Sequence, residues 1–188
     1  MRFIETLWAL DKELAFRRHF PAINWLLSFS RYIDSVRVFW EKYDPEFVLL
    51  RGEALSILEE SSRIEHIARI VGEKALPEDQ RLILLAAELI REGFLTQSAY
   101  HEVDTYCPPE KQVRMLRAFV EFYRLTKPLV EKGVPVDRIR ELRVMVDLMR
   151  MKEHPEVEHV DKVMEKLREQ LSTLASEYGI ELRAVGGV

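Results

Sequence analysis

The chain has 188 residues, 47% hydrophobic and 32% charged, with only 7 glycines, which suits one compact globular domain with at most a small appendage. Its 28 basic and 32 acidic side chains leave a net charge of −4, so there is no general attraction for a phosphate backbone and nucleic-acid binding is not expected. A single cysteine, Cys107, excludes an intrachain disulfide and fits a reducing compartment.

The first element is a strand-like run, Phe3-Ile4-Glu5-Thr6-Leu7-Trp8-Ala9-Leu10. Its Glu5, with Arg2 before it, interrupts the apolar core that a signal peptide needs, so a cytoplasmic chain is expected. One strand alone satisfies neither its backbone groups nor its faces. The expectation is therefore a chain that opens inside a sheet whose other strands lie upstream, and whose first 34 residues fold poorly by themselves. An ordinary first strand or an early helix is the alternative. Arg17 to Ser30 follows, crowded with aromatic and basic residues and lacking helical apolar spacing; it suggests a loop shaped to line something. Within it, Arg17-Arg18-His19 could meet an anionic group, although basic loop residues are more commonly solvated or bridged to carboxylates. His19 to Ser30 is the longest run free of Asp, Glu, Lys and Arg, well short of the ~20 residues of a membrane-spanning helix.

After Asp34 the pattern is helical. Asp44-Pro45-Glu46 signals a helix start, and Phe47, Leu50, Ala54, Ile57, Ser61, Ile64, Ala68 and Val71 trace one face of a long helix ending near Gly72. Pro77-Glu78-Asp79 opens a second helix through Leu82, Leu85, Leu89 and Ile90 to Gly93; Phe94 to Cys107 is irregular. Pro108-Pro109-Glu110 starts a third, carrying Val113, Leu116, Phe119, Val120 and Tyr123 toward Gly133, with Lys127-Pro128 as a point of kinking. Pro135 to His154 reads as a fourth, with Ile139, Leu142, Val146 and Met149 inward. A fifth follows Pro155, with Val160, Val163, Leu167, Leu171, Leu174 and Tyr178 on its inner face. His154 and His159 are expected at the surface, and the end of the chain is expected to fray. Short connections between helices make a bundle the natural packing.

Two segments carry a family resemblance. One is Trp8-Ala9-Leu10-Asp11 through Arg17-Arg18-His19-Phe20-Pro21-Ala22-Ile23-Asn24-Trp25-Leu26, followed by Ser28, Ser30, Tyr32 and Asp34. The other is Phe94-Leu95-Thr96-Gln97-Ser98-Ala99-Tyr100-His101-Glu102-Val103-Asp104-Thr105-Tyr106-Cys107-Pro108. In order and separation they resemble the C-terminal third of the catalytic A subunit of archaeal-type ATP synthases and vacuolar-type ATPases, and the likeness runs from about Phe3 to the last helix.

The resemblance implies roles for particular residues. The F-type catalytic subunit is a more distant relative, in which the tyrosine before Pro-Ala-Val-Asp stacks on adenine; Phe20 before Pro21-Ala22-Ile23-Asn24 matches that position. Two further aromatics follow a Phe-Leu-Ser-Gln run there. Here Tyr100 and Tyr106 follow Phe94-Leu95-Thr96-Gln97 at the same mutual spacing, with one extra residue after Gln97. Tyr100 stands where close relatives commonly carry phenylalanine, which keeps the ring. Adenine stacks well on aromatic faces, so Phe20, Tyr100 and Tyr106 are the implied ATP/ADP contacts; from the residues alone, simple core packing is the competing role. Gly72-Glu73-Lys74-Ala75-Leu76-Pro77-Glu78-Asp79 occupies the place of the F-type lever that bears on the central stalk, though less acidic; without the analogy it is a solvated turn.

Phosphoryl transfer also needs positioned phosphates, Mg²⁺ and an activated water. None of the 7 glycines is followed by lysine, so the P-loop pattern is absent. The family's catalytic glutamate and metal-positioning aspartate lie upstream of the matched region, so no catalytic or metal residue is assigned and the chain alone should be inactive. His101-Glu102-Val103-Asp104 offers metal-ligand types at a spacing that fits no zinc pattern. Cys107, beside a helix start, reads as a structural sulfur rather than a reactive thiol.

The expected fold is thus mainly α. Residues 1–34 form the edge of a nucleotide-binding α/β domain, with one strand and an extended loop; residues 35–182 form a helical bundle; residues 183–188 are a tail. The implied partners are non-catalytic B subunits in an alternating hexamer and the central stalk, with no nucleic acid and no membrane insertion, in a soluble head at the cytoplasmic side of the membrane. A stand-alone helical adaptor whose aromatics simply pack is the alternative; the B subunit is a weaker rival, since it should lack the Phe94–Pro108 pattern.

Overall fold

The computed structural model describes residues 4–180; Phe3 and the tail expected over 183–188 lie outside them. β1 (Thr6–Leu7) pairs antiparallel with β2 (Phe29–Ser30), and an isolated bridge joins Leu10 to Ile23. The run read as a single strand is thus only two residues of ladder, and its partner lies in this same chain. Between the strands, α1 (Lys12–Phe16) is capped by Asp11, whose Oδ1 accepts from the Glu13 and Leu14 amides at 2.9 and 3.1 Å. The other carboxylate oxygen accepts from Asn24 Nδ2 at 2.9 Å, and Asn24 Oδ1 accepts from the Leu26 and Leu27 amides. Two short polar side chains thereby satisfy most of the turn that brings β2 back to β1.

Among the described residues seven further α-helices follow: α2 (Ile33–Trp40), α3 (Phe47–Val71), α4 (Glu78–Leu89), α5 (Pro109–Glu131), α6 (Val136–Arg140), α7 (Val144–Arg150) and α8 (His159–Glu177). α4 is the central one. It packs on α3 and α5, and every residue from Arg81 to Leu89 except Glu88 is buried. α8 closes the bundle against α5 and α7, burying Val160, Val163, Leu167, Leu171 and Leu174. Tyr178, assigned to that face, is exposed just past the helix end.

The α3 start is fixed electrostatically. Asp44 is buried and accepts from the Glu46 amide at 2.8 Å and from Arg117 of α5 at 2.6 and 2.7 Å. Burial opposes its charge, but the paired guanidinium and the amide more than offset that and hold its carboxyl below the ordinary value. The inward face of α3 follows the expected spacing through Ile64, whereas Val71, the last residue of the helix, is exposed. α5 continues through Pro128 to Glu131, so that proline falls in the last turn of a continuous helix.

The stretch read as one helix from Pro135 to His154 is three pieces: α6, α7 and a 3₁₀ turn over Met151–Glu153. The Val144 amide donates to Gln170 Oε1 of α8 at 3.2 Å, and the Val136 amide to Glu78 Oε2 at 2.6 Å. The break shifts the inward phase, so Val144, Met145 and Leu148 are buried and Val146, expected inside, is exposed.

α4 does not stop at Gly93. It widens into a π-helical turn over Ile90–Leu95, in which the Thr96 amide reaches back five residues to the Arg91 carbonyl at 2.9 Å. Gly93 makes this possible, because a Cβ there would lie 2.5 Å from Cζ of the buried Phe119 ring. The N-terminal segment attaches here. His19, 5% exposed, shares a hydrogen bond with Thr96 Oγ1 through Nδ1 at 2.8 Å and lies 5.5 Å from the Trp25 ring. Burial lowers the imidazole's affinity for protons, with Glu92 at 3.8 Å opposing and Lys152 and Arg91 reinforcing.

This attachment is open to two measurements. Gly93→Ala should cost about 1–3 kcal/mol through overpacking against Phe119, read as a lower urea midpoint, with Phe119→Leu restoring part of the loss. His19 has a folded-state pKa below its ordinary 6.5, so the unfolded segment takes up the proton first; the stabilisation is present above that value and is lost as pH falls toward the folded one. Acidification from about pH 7.5 to about pH 5.5 should therefore lower the protection of the amides around residues 19–20 and 96–97 relative to their intrinsic exchange rate at each pH, and His19→Gln should flatten that response. Local exchange is the right readout, since His159 shifts in the same direction through burial, with His154 adding to it.

Candidate functional site

Phe20 owes its position to the way α1 ends. The Arg18 amide donates to the Ala15 carbonyl at 3.0 Å and the His19 amide to the Leu14 carbonyl at 2.9 Å, with Arg18 at φ 60°. This is a Schellman ending with arginine where glycine is usual. The reversal sends His19 into the bundle and leaves Phe20 outside, 51% exposed.

The second segment leaves the π turn at Thr96. The Gln97 amide donates to the Phe20 carbonyl at 2.8 Å, so the two segments singled out in the sequence meet through their backbones. The loop beyond is organised by its own side chains. Gln97 Nε2 donates to the Asp104 carbonyl at 2.8 Å, and the buried Asp104 accepts from the Ser98 amide at 2.7 Å. His101 Nδ1 accepts from the Val103 and Asp104 amides, both at 3.2 Å. With its polar groups turned inward, the loop presents Tyr100 and Tyr106 to solvent, 100% and 84% exposed.

The three aromatic residues therefore share one end of the molecule through connected backbones, and none serves as core. The structure does not bring their rings into contact with one another: among the described residues, the aromatic pairs involve other side chains, such as Trp40 stacked on Phe47 at 4.9 Å. An apolar cleft of about 290 Å³ lies beneath α2 between Trp25, Trp40, Phe47, Phe94 and Leu116. It borders both motif segments but is lined by none of the three rings.

The remaining candidates resolve simply. Arg17 and Arg18 are exposed, with Glu13 4.0 Å from Arg17, whereas His19 leaves that basic group for the interior. His101 is committed to backbone amides, and no cluster of three or more metal-ligating side chains occurs among the described residues. Cys107 is half-buried, and burial raises its thiol pKa, as expected for a structural sulfur. His154 and His159 are half-buried and stack face to face at 3.8 Å. No helix among the described residues is long and apolar enough to cross a membrane. The turn at Gly72–Asp79 holds a 3₁₀ segment, Glu73–Ala75, anchored by the buried Leu76, and beside it Ile67, Ile70 and Val71 expose apolar surface.

Sequence reasoning missed two groups at this end. Lys111 is 1% exposed, and its ammonium donates to the Lys152 and His154 carbonyls at 2.6 Å each. Lys152 Nζ in turn donates to the Glu92 and Thr96 carbonyls at 2.7 Å each. Neither lysine differs in sequence context from a solvated one. The only hint of the π turn was a glycine between helical apolar residues and an aromatic motif.

The chain is similar to the A subunits of A-type ATP synthases from several archaea. It is 48% identical over 180 residues to that of Thermococcus sibiricus, covering 95% of this chain and 31% of the relative. Against the Pyrococcus abyssi protein it is 47% identical, with 95% and 18% coverage, and against that of Methanopyrus kandleri 49%, with 94% and 31%. The chain thus spans about a third of the first of these relatives or less. Residues 37–140, from within α2 to the end of α6, match the family described as the C-terminal domain of V and A type ATP synthase. With the helical bundle in place from α3 to α8, the chain belongs to that family.

Proposed function

We propose that the chain is the C-terminal portion of a catalytic A subunit of an archaeal-type ATP synthase, and that it supplies the adenine side of the nucleotide site. Residues 1–34 are then the edge of the nucleotide-binding domain, residues 35–182 the helical domain and residues 183–188 its tail. Phe20, Tyr100 and Tyr106 are the purine contacts. The observation that carries this reading is the Gln97–Phe20 backbone bond, which holds the two motif segments side by side while all three rings face outward. A stand-alone adaptor whose aromatics merely pack would bury them.

Exposed rings suit the flat face of a purine, each stacking contact being worth about 1–3 kcal/mol. They offer nothing for phosphates. With no P-loop in the sequence and no metal-ligating cluster among the described residues, Mg²⁺ and the triphosphate would be held by polypeptide upstream of this chain. The chain's own contribution to ATP synthesis or hydrolysis is to hold the base and to move with it. The turn at Gly72–Asp79 would transmit that movement to the central stalk, helped by the apolar surface of Ile70, 85% exposed, beside it. Such coupling is reciprocal: stalk angle would change nucleotide affinity as much as nucleotide biases the stalk. Non-catalytic B subunits would alternate with the catalytic ones in the head, which sits at the cytoplasmic face of the membrane and drives ion transport.

In the complete subunit, Phe20→Ala and Tyr106→Ala should each weaken ATP binding about 5- to 100-fold, the equivalent of one lost stacking contact, with the helical content unchanged. Equilibrium binding of a fluorescent ATP analogue measures this; unchanged affinity in both variants removes the purine assignment. The isolated chain should show no magnesium-dependent ATPase activity above buffer.

A further inference from the structure

The π turn leaves backbone acceptors without their usual partners. The two amides that would continue the ladder past Leu95 are already used, Thr96 N by the Arg91 carbonyl and Gln97 N by the Phe20 carbonyl. Lys152, on the 3₁₀ turn after α7, fills the gap with its two 2.7 Å bonds to the Glu92 and Thr96 carbonyls. Its own backbone is held in turn, because the buried Lys111 ammonium grips the Lys152 and His154 carbonyls from α5. A bond from an ammonium to a carbonyl is stronger than an amide–amide bond, and here one cation ties two carbonyls either side of the turn's exit.

We propose that Lys152 is a positioning residue for the purine-facing aromatics, clamping the root of the 97–106 loop so that Tyr100, Tyr106 and Phe20 keep a fixed mutual arrangement. The path is continuous. Lys152 fixes the Thr96 carbonyl; the next residue, Gln97, holds Phe20 through its amide and Asp104 through its side chain. Lys152 touches none of the three rings, so its effect is on their placement. This inference rests on the nucleotide reading above for its consequence, though not for the clamp itself.

The test compares Lys152→Met, which keeps the stem and loses the donors, with Lys152→Arg, which retains donors for two carbonyls. In this chain, hydrogen exchange of the amides from Gln97 to Tyr106 should quicken about tenfold or more in Lys152→Met, as expected for loss of hydrogen bonds from a charged donor, and return toward the starting rate in Lys152→Arg. Exchange in α4 and α8 should be unchanged, which separates lost clamping from general destabilisation. In the complete subunit, Lys152→Met should weaken binding of the fluorescent ATP analogue about three- to tenfold, again with rescue by arginine. Unchanged loop exchange in Lys152→Met overturns the clamp whatever happens to nucleotide. Quickened exchange with unchanged affinity, in a subunit where Phe20→Ala does weaken binding, overturns the positioning role. If Phe20→Ala and Tyr106→Ala also leave affinity unchanged, the clamp stands and the nucleotide reading falls instead.

Discussion

The contact between Gly93 and the Phe119 ring sets the geometry of the end of this molecule that displays Phe20, Tyr100 and Tyr106. A side chain at position 93 would collide with the ring, and without one the backbone comes close enough for α4 to finish as a wide π turn. That turn changes where the chain exits. It aims Thr96 at His19 and the Gln97 amide at the Phe20 carbonyl, and so joins a segment near residue 20 to one near residue 100. A regular α-helical continuation would have used the Gln97 amide on one of its own carbonyls. The junction exists because the helix gives up part of its ladder.

What the ladder gives up, lysines replace. Lys111 is almost completely buried, with carbonyl acceptors and, among the described residues, no carboxylate within bonding distance; burial lowers its proton affinity. A cation in that situation is tolerated only where oriented dipoles replace water. Two carbonyls at 2.6 Å supply them, and the result is a loop fixed in one conformation. The Asp44–Arg117 pair works differently. It is a two-bond charge pair at the start of α3, partly open to solvent, and it ties the α2–α3 connection to α5. One device pins the bundle's outer connection, the other the root of the aromatic loop.

The long helices were legible because their apolar residues recur every three or four positions and because Asp44-Pro45, Pro77-Glu78 and Pro108-Pro109 punctuate them. The split of residues 135–154 was not. Its break falls where Gln170 of α8 captures the Val144 amide, while Glu78 takes the Val136 amide at the start of α6, and no local pattern announces a distant acceptor. The same limit hid His19, which looked like the third member of a basic loop and turned inward because Thr96 and Trp25 wait there. The β1–β2 ladder was half legible. The strand-like run was visible, but its partner, Phe29–Ser30, lies in a segment whose apolar content suggested a lining loop. The three aromatics of the proposed site were named from resemblance. Composition would have put them in the core, and their exposure is information that only the fold supplies.

Exposure of three rings on a folded domain has an energetic meaning of its own. Burying a large aromatic side chain yields roughly 1.5–3 kcal/mol; here Tyr100 and Tyr106 forgo most of that and Phe20 about half. The loops that display them are nonetheless well tied: Asp104 is buried to accept the Ser98 amide, His101 commits its ring nitrogen to two amides, and Lys152 closes the exit. Polar groups have taken the interior positions, and the aromatics have been left outside. That inversion is costly for a domain meant to stand alone and sensible for one whose aromatic face is completed from elsewhere. In the proposed site the completing surfaces are a purine and the phosphate-binding polypeptide upstream, so the apolar area withheld during folding is recovered when nucleotide binds. Closure and binding then become the same event, and the rigidity of the loop roots decides how much of the purine's stacking energy reaches the helical domain.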